Sequence, residues 1–236
     1  MAAMAAIFLA LVGVKMSLEI ARRVGYVKVN YRGKVVSGLL GLVIPWLALG
    51  ISHLFWIIPI AIVGYVDDRY GKRDCGGLWG HCQRSWQERK PTTGLWKVVV
   101  VFMVVYVATP SWSLRLSLLL MTNLFNLVDT RPGRSLKLAL FFLLPLGVTA
   151  VPIVLAICVL LYFDLKQYGM LGDLGANSLG FWLGWLWLHA GDRLADGSLL
   201  FFLIVVQFYA EIGSLSQFIQ ERPTIQNIDR MGQVDD

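Results

Sequence analysis

Charge is scarce in this 236-residue chain. Only 15% of its residues are Asp, Glu, Lys or Arg, against about 25% in a soluble globular domain. Polar linkers, low-complexity segments and internal repeats are missing too, so nothing divides it into separate soluble domains. The three cysteines, Cys75, Cys82 and Cys158, make no disulfide framework. Cys75 and Cys82 with His81 offer only three ligands at poor spacing, which argues against structural zinc. Despite a net charge of +6, no Arg-rich stripe with interleaved aromatics stands outside the apolar segments. That excludes the usual footprint of a nucleic-acid binder. Apolar and polar residues do not alternate strictly, which excludes a transmembrane β-barrel.

What fills the chain is apolar sequence. Hydrophobic residues make up 57% of it, and the mean hydropathy is +0.64. Apolar runs of roughly 14–20 residues recur along its length, the pattern of a polytopic helical membrane protein. The expected fold is an all-α integral membrane bundle of about nine transmembrane helices. Their approximate spans are 2–19, 35–50, 51–66, 95–109, 112–128, 136–150, 151–165, 178–191 and 198–213. Residues 1–213 then form one transmembrane domain and 214–236 a tail. Ile212, Leu215, Phe218 and Ile219 are spaced as in a helix lying on the membrane surface. The stretch from Ala2 to Met16 lacks a basic leader, and no small-residue cleavage site precedes Arg22. It is expected to be a retained helix rather than a signal peptide.

The loops set the orientation. Positive residues gather in the first (Arg22, Arg23, Lys28, Arg32, Lys34), third (Arg69, Lys72, Arg73, Arg84, Arg89, Lys90) and fifth (Arg131, Arg134, Lys137). The second and sixth are bare, and the tail has Arg222 and Arg230. The positive-inside rule puts the amino terminus outside and the carboxyl terminus in the cytoplasm. Asp67, Asp68, Asn126, Asp129, Asp164 and Asp173 all fall on the cytoplasmic side of that arrangement. A carboxylate in a membrane segment costs roughly 2.5–3.5 kcal/mol, so such groups usually face a polar cavity and have a role there. Carboxylates converging at a membrane surface suit Mg²⁺, and Mg²⁺ suits phosphate chemistry.

Three motifs carry these acids. In Gly64-Tyr65-Val66-Asp67-Asp68-Arg69, two adjacent carboxylates end an apolar helix. They can share a metal, or one can bind while the other takes a proton; they also suit an ordinary polar helix end. In Asn123-Leu124-Phe125-Asn126-Leu127-Val128-Asp129, polar residues recur every third position on one helix face. Such a stripe faces protein or water, as a site or as interhelical glue. Arg131, Arg134 and Lys137 follow, suited to clamp phosphates or to anchor the helix. In Gly172-Asp173-Leu174-Gly175-Ala176-Asn177, glycines flank an acid before an apolar helix. The backbone there can approach a ligand, or Asp173 or Asn177 caps the helix.

Taken in order and on one side, these motifs resemble the polyprenyl-phosphate N-acetylhexosamine-1-phosphate transferases. Asn30-Tyr31-Arg32-Gly33-Lys34, Gly80-His81 and Thr92-Thr93-Gly94 with Lys97 are similar to the bacterial branch of that family. The resemblance covers about residues 30 to 185. It implies transfer of a sugar-1-phosphate from a UDP-amino sugar to a polyprenyl phosphate, with release of UMP and with Mg²⁺ as cofactor. The partners it implies are the UDP-sugar, the lipid phosphate and the cytoplasmic membrane; monomer and homodimer both stay open. By the family pattern Asp67, Asp68 and Asp129 are the catalytic carboxylates, and Asp173 with Asp68 holds the metal. Asn126, Lys34, Lys97, Arg131, Asp164 and Asn177 form the substrate-binding set. The chain departs from the pattern in three ways. Pro132 stands where the family has a further aspartate, the histidine-rich last loop is missing, and the chain is shorter by one or two helices. A non-catalytic relative that binds polyprenyl phosphate or regulates a transferase is the alternative. A small ion-coupled carrier fits less well, because the acids gather on one side rather than at the midplane.

Overall fold

The computed structural model of the protein describes residues 1–30, 32–71, 92–190, 193–213 and 215–233, with the backbone alone at 193–196, 211 and 212. Tyr31, Cys75, Gly80, His81 and Cys82 lie outside these residues. The described chain is mostly helical, with one small antiparallel ribbon, β1 (Val27–Val29) against β2 (Val35–Ser37).

Helix α1 (Ala2–Val24) is apolar throughout and ends at Gly25 with φ 67°, a left-handed turn that glycine takes without strain. Apart from Val14, its buried face is made of small residues, Ala6, Ala10, Gly13, Ser17 and Ala21. Small side chains let neighbouring helices come close where there is no water to drive them together. A Cβ added at Gly13 would stand 2.9 Å from the Trp46 ring. The opposite face exposes Met4, Phe8, Leu11 and Met16, a surface suited to lipid rather than water.

The helix expected over 35–50 begins later. Residues 35–37 pair as β2, a 3₁₀ turn follows at Leu40–Leu42, and α2 covers Val43–Ser52. Next come α3 (Ile57–Tyr70), α4 (Thr93–Ala108) and α5 (Trp112–Val128). Arm α6 (Arg134–Leu143) and arm α7 (Val151–Leu165) are joined by a 3₁₀ segment, Leu144–Ala150. The chain closes with α8 (Gly172–His189), α9 (Arg193–Ile212), α10 (Leu215–Glu221) and α11 (Pro223–Arg230).

Two segments, Ala2–Val24 and Arg134–Leu165, are long and apolar enough to cross a membrane. A third is added if Gly197–Ala210 and Leu215–Glu221, which meet at 93°, count as one bent span. The apolar segments Leu40–Ser52, Thr93–Ala108 and Trp112–Val128 are shorter. The described residues therefore supply fewer full-length spans than the nine expected. The segment Arg134–Leu165 is not straight either. Thirty-two residues of helix would reach about 48 Å, yet the N–H of Gly133 donates to Asp164 Oδ2 at 2.5 Å. The segment doubles back at Gly147, whose φ of 64° and ψ of −147° leave the helical region. Two antiparallel arms result, as expected for 136–150 and 151–165. Their helical parts reach only about 15 and 22 Å, less than the roughly 30 Å of a hydrocarbon core.

Helix α8 is the axis of the bundle. Leu174, Ala176, Asn177, Ser178, Phe181, Trp182 and Leu183 are all buried, and a helix buried on every side belongs to a core. It packs chiefly on α3 and α5. Glycines make both contacts close. A Cβ at Gly64 would lie 2.7 Å from the Asp173 carbonyl oxygen, and one at Gly180 would lie 2.6 Å from that of Met121. The first contact brings the end of α3 against the start of α8.

Candidate functional site

The ends of α1, α3, α5 and α7 meet the beginnings of α4, α6 and α8 at one end of the bundle. Cross-links fix this gathering. Lys28 pairs with Asp68, Lys97 with Asp173, and the Gly133 N–H with Asp164. The Met170 N–H donates to the Ser37 carbonyl at 2.9 Å. Asn30 Nδ2 donates to Gln167 Oε1 at 2.8 Å, tying the ribbon to the α7–α8 loop.

Helix α4 starts with the Thr92 hydroxyl accepting the Leu95 N–H at 3.3 Å, an N-cap. One turn of helix then puts Thr93 and Lys97 on the same face. The Thr93 side chain hydrogen-bonds Asp67. Lys97 Nζ lies 2.6 Å from Asp67 Oδ2 and 2.5 Å from Asp173 Oδ2. Two carboxylates from different helices thus meet on one cation. The Asp67 side chain is 11% exposed and that of Asp173 is 32% exposed, so Asp173 is the acid that solvent reaches.

Asp68 points to the other side. One oxygen pairs with Lys28 on the ribbon, and the second accepts the Leu174 N–H at 3.1 Å. Asp68 therefore caps α8 across the helix boundary, a role expected of Asp173 or Asn177. An acid is favoured there because the first N–H groups of a helix lack partners and carry partial positive charge. The glycines of the motif serve this contact. Gly172 has φ 62°, and a Cβ on it would stand 2.6 Å from Asp68 Oδ2. Gly175 packs against Gly41, its hypothetical Cβ 2.6 Å from the Gly41 Cα. Close backbone approach was expected toward a ligand; here it is toward Asp68 and the turn before α2. Asn177 Nδ2 donates to the Asp173 carbonyl at 2.7 Å, which holds the first turn of α8.

A second pair of acids lies beside the first. Asp129, at the end of α5, is within electrostatic range of Asp164, Asp173 and Asp68. The Ser135 hydroxyl donates to Asp129 Oδ1 at 2.7 Å. Asp164 accepts from Gly133, whose φ of 77° turns its N–H inward. Of the polar stripe on α5, Asn123 bonds Gln207 of α9 at 2.6 Å, as interhelical glue. Asn126 keeps a buried Oδ1 without a partner. A bare buried acceptor is unusual enough to mark a place for a donor or a cation.

The other expected residues sort as follows. Lys34 stands exposed at the ribbon turn, where its N–H bonds Asn30 Oδ1 at 2.9 Å. The ribbon lysine that reaches an aspartate is Lys28, which was not among the expected site residues. Its signal was legible: Val27-Lys28-Val29 and Val35-Val36-Ser37 flank a turn containing Gly33, the mark of a hairpin. Arg131 lies in electrostatic range of Asp229 in the tail. Arg134 and Lys137, read as phosphate clamps or anchors, bind the tail as well. Tyr26 packs on Tyr65 with ring centroids 5.6 Å apart. Burial, and then the Asp68 charge, push its hydroxyl up to about 12, so it stays protonated.

Mg²⁺ takes oxygen ligands and is commonly held by one or two carboxylates plus substrate phosphates. Asp67 and Asp173 match that donor set and already share one cation. Among the described residues no group of three or more His, Cys, Asp or Glu side chains gathers as a metal cage, so further ligands would have to come from substrate or water. Beside the acids lies an apolar groove of about 300 Å³, lined by Ile20, Val24, Leu42, Ile62, Tyr65 and Leu174 among others. No family model, curated protein or solved structure matches the chain.

Proposed function

We propose that the protein is a membrane phosphotransferase. It moves a sugar-1-phosphate from a UDP-amino sugar to a polyprenyl phosphate, at a site facing the cytoplasm. The observation that carries this reading is the meeting of Asp67 and Asp173 on Lys97, with Asp68 and Lys28 alongside, at one end of an apolar bundle. In the reaction, an oxygen of the lipid phosphate attacks the β-phosphorus, the bond from that phosphorus to the bridging oxygen breaks, and UMP leaves. Asp67 orients the lipid phosphate or takes its proton. Lys97 and Lys28 offset the charge of the phosphates. Asp173 with Asp67, the pair that already meets on Lys97, would hold Mg²⁺, which would neutralise the pyrophosphate and the charge on the leaving group; Asp68, expected beside Asp173 as a ligand, is instead taken by Lys28 and the Leu174 N–H. Asn126 offers its unpartnered acceptor to the nucleotide or the metal's water shell. The groove lined by Ile20, Ile62 and Leu42 gives the lipid chain an apolar seat next to the acids. With the amino terminus outside, the positive loops face the cytoplasm, where UDP-sugars are made available.

The test is release of UMP by purified protein given Mg²⁺, undecaprenyl phosphate and a panel of UDP-sugars. Asp67→Asn and Asp173→Asn should each abolish it. A second reading has its own support: both acids are already paired with Lys97, and Pro132 stands where the resemblance leads one to expect a carboxylate. On that reading the protein binds polyprenyl phosphate without turning it over. Survival of cellular function in both Asp→Asn variants, with lipid-phosphate binding intact, would favour it.

A further inference from the structure

The C-terminal tail folds back onto the loop that carries Asp129. Arg134, only 6% exposed, donates from Nε and Nη2 to the two oxygens of Asp229 at 2.8 and 2.7 Å. Its remaining nitrogen, Nη1, donates to Thr130 Oγ1 at 2.6 Å and to Ser216 Oγ at 2.9 Å. Every nitrogen of this guanidinium is therefore used, a fork-on-fork arrangement that fixes both partners in orientation. Lys137 donates to the carbonyls of Ile228 and Asp229 at 2.9 and 2.7 Å, capping the end of α11. Gln233 Nε2 reaches the Pro132 carbonyl at 3.1 Å and that of Asp229 at 2.9 Å. The tail thus grips residues 130, 132, 134 and 137.

The same loop faces the acids from its other side. Ser135, next to Arg134, donates to Asp129, and Gly133 donates to Asp164. Thr130, next to Asp129, is held by Arg134. With no aspartate at position 132, the loop has Asp129 as its one carboxylate, and the place of that group depends on how the loop is held.

We propose that Asp229 is a positioning residue for the acidic site: by locking Arg134 it fixes the loop from Thr130 to Ser135, and with it the Asp129 carboxyl. This rests on the transferase reading only for its consequence in turnover. The tail then stands as a wall of the site, in place of a free membrane-surface helix.

Hydrogen exchange of the full chain in detergent, without substrate, tests the lock directly. Asp229→Asn should speed exchange of the amides from Thr130 to Ser135 by on the order of tenfold or more, the scale expected when a charged hydrogen bond is lost. Asp229→Glu should restore much of the protection. If Asp229→Asn unfolds the protein, the pair Ser216→Ala and Gln233→Ala removes outlying contacts of the tail while keeping the Arg134–Asp229 ion pair, and should give a smaller rise in the same amides. Unchanged exchange in that loop would overturn the proposal. In turnover, Asp229→Asn should lower kcat for UMP release while KM for the lipid phosphate holds, and Asp229→Glu should recover it. Equal loss in kcat with both variants would also overturn it. Loosened exchange in a protein that releases no UMP at all would uphold the lock and defeat the transferase reading instead.

Discussion

Among single residues, Lys97 does most to hold the acids together. Among the described residues it is the cation shared by Asp67 and Asp173. Its removal leaves the buried Asp67 facing the part-exposed Asp173 with no cation between them, a loss below the roughly 3–5 kcal/mol of breaking a fully buried ion pair because solvent reaches Asp173. Lys97→Met should therefore lower the thermal midpoint in metal-free detergent solution. Mg²⁺ should recover more of that loss in Lys97→Met than it adds to the wild type, because a ligand stabilises in proportion to its occupancy of the folded state. Equal Mg²⁺ responses in the two proteins would remove the carboxylate pair as the metal site. Asp229 gives a pH prediction. Burial pushes its carboxyl up, but the hydrogen bonds and charge of Arg134, with Lys137 and Arg131, outweigh burial and hold it below the usual carboxylate range. Its contribution is thus present above the unfolded value of about 3.9 and fades as pH falls through the lower folded value. Protease resistance of the tail should hold from neutral pH down to about 4 and be lost below it. Loss at pH 6 would show that Asp229 does not hold the tail.

Among the helices, glycine decides where the site can form. Gly64 and Gly180 let α3 and α5 touch the backbone of α8, and Gly172 leaves room for the Asp68 carboxylate. Gly180→Ala presses on the Met121 carbonyl far from the acids, so thermal stability should fall by about 1–3 kcal/mol with Mg²⁺ affinity unchanged. Gly172→Ala adds a left-handed backbone penalty and a clash with Asp68, and relieving them shifts the adjoining Asp173, so it should weaken Mg²⁺ affinity as well as stability. Equal effects of the two variants on Mg²⁺ would contradict the role given to Gly172. The acid of the third motif, Asp173, was legible because Gly-Asp before an apolar helix is a local pattern. Which acid caps that helix was not, since Asp68 is a hundred residues earlier in the chain. The lock between Arg134 and Asp229 was hidden for the same reason: its partners are joined only by folding.

In the molecule as a whole, helical content and the positions of most helices followed from apolar periodicity; α5 and α7 coincide with their expected spans. Length was less legible. Hydropathy does not reveal that Gly147 turns an apolar segment back on itself; the pairing of 35–37 with 27–29 is marked by the hairpin pattern around Gly33, which hydropathy alone passes over. Among the described residues, Lys28, Lys97, Arg134 and Lys137 lie at the same end as the acids. Orientation can be checked by cysteine labelling in a background without native cysteines, at two exposed positions on opposite ends. His53→Cys should react from outside intact cells, and Lys34→Cys only after permeabilisation. The reverse pattern would place the acids on the outer face, away from nucleotide sugars.

The most direct measurement is UMP release from UDP-sugars by the purified, folded chain with Mg²⁺ and undecaprenyl phosphate, run beside Asp67→Asn and Asp173→Asn. The wild type should release UMP from at least one sugar nucleotide, and neither variant should release any. Release that survives both substitutions, or none from any sugar tried, would contradict the transferase reading.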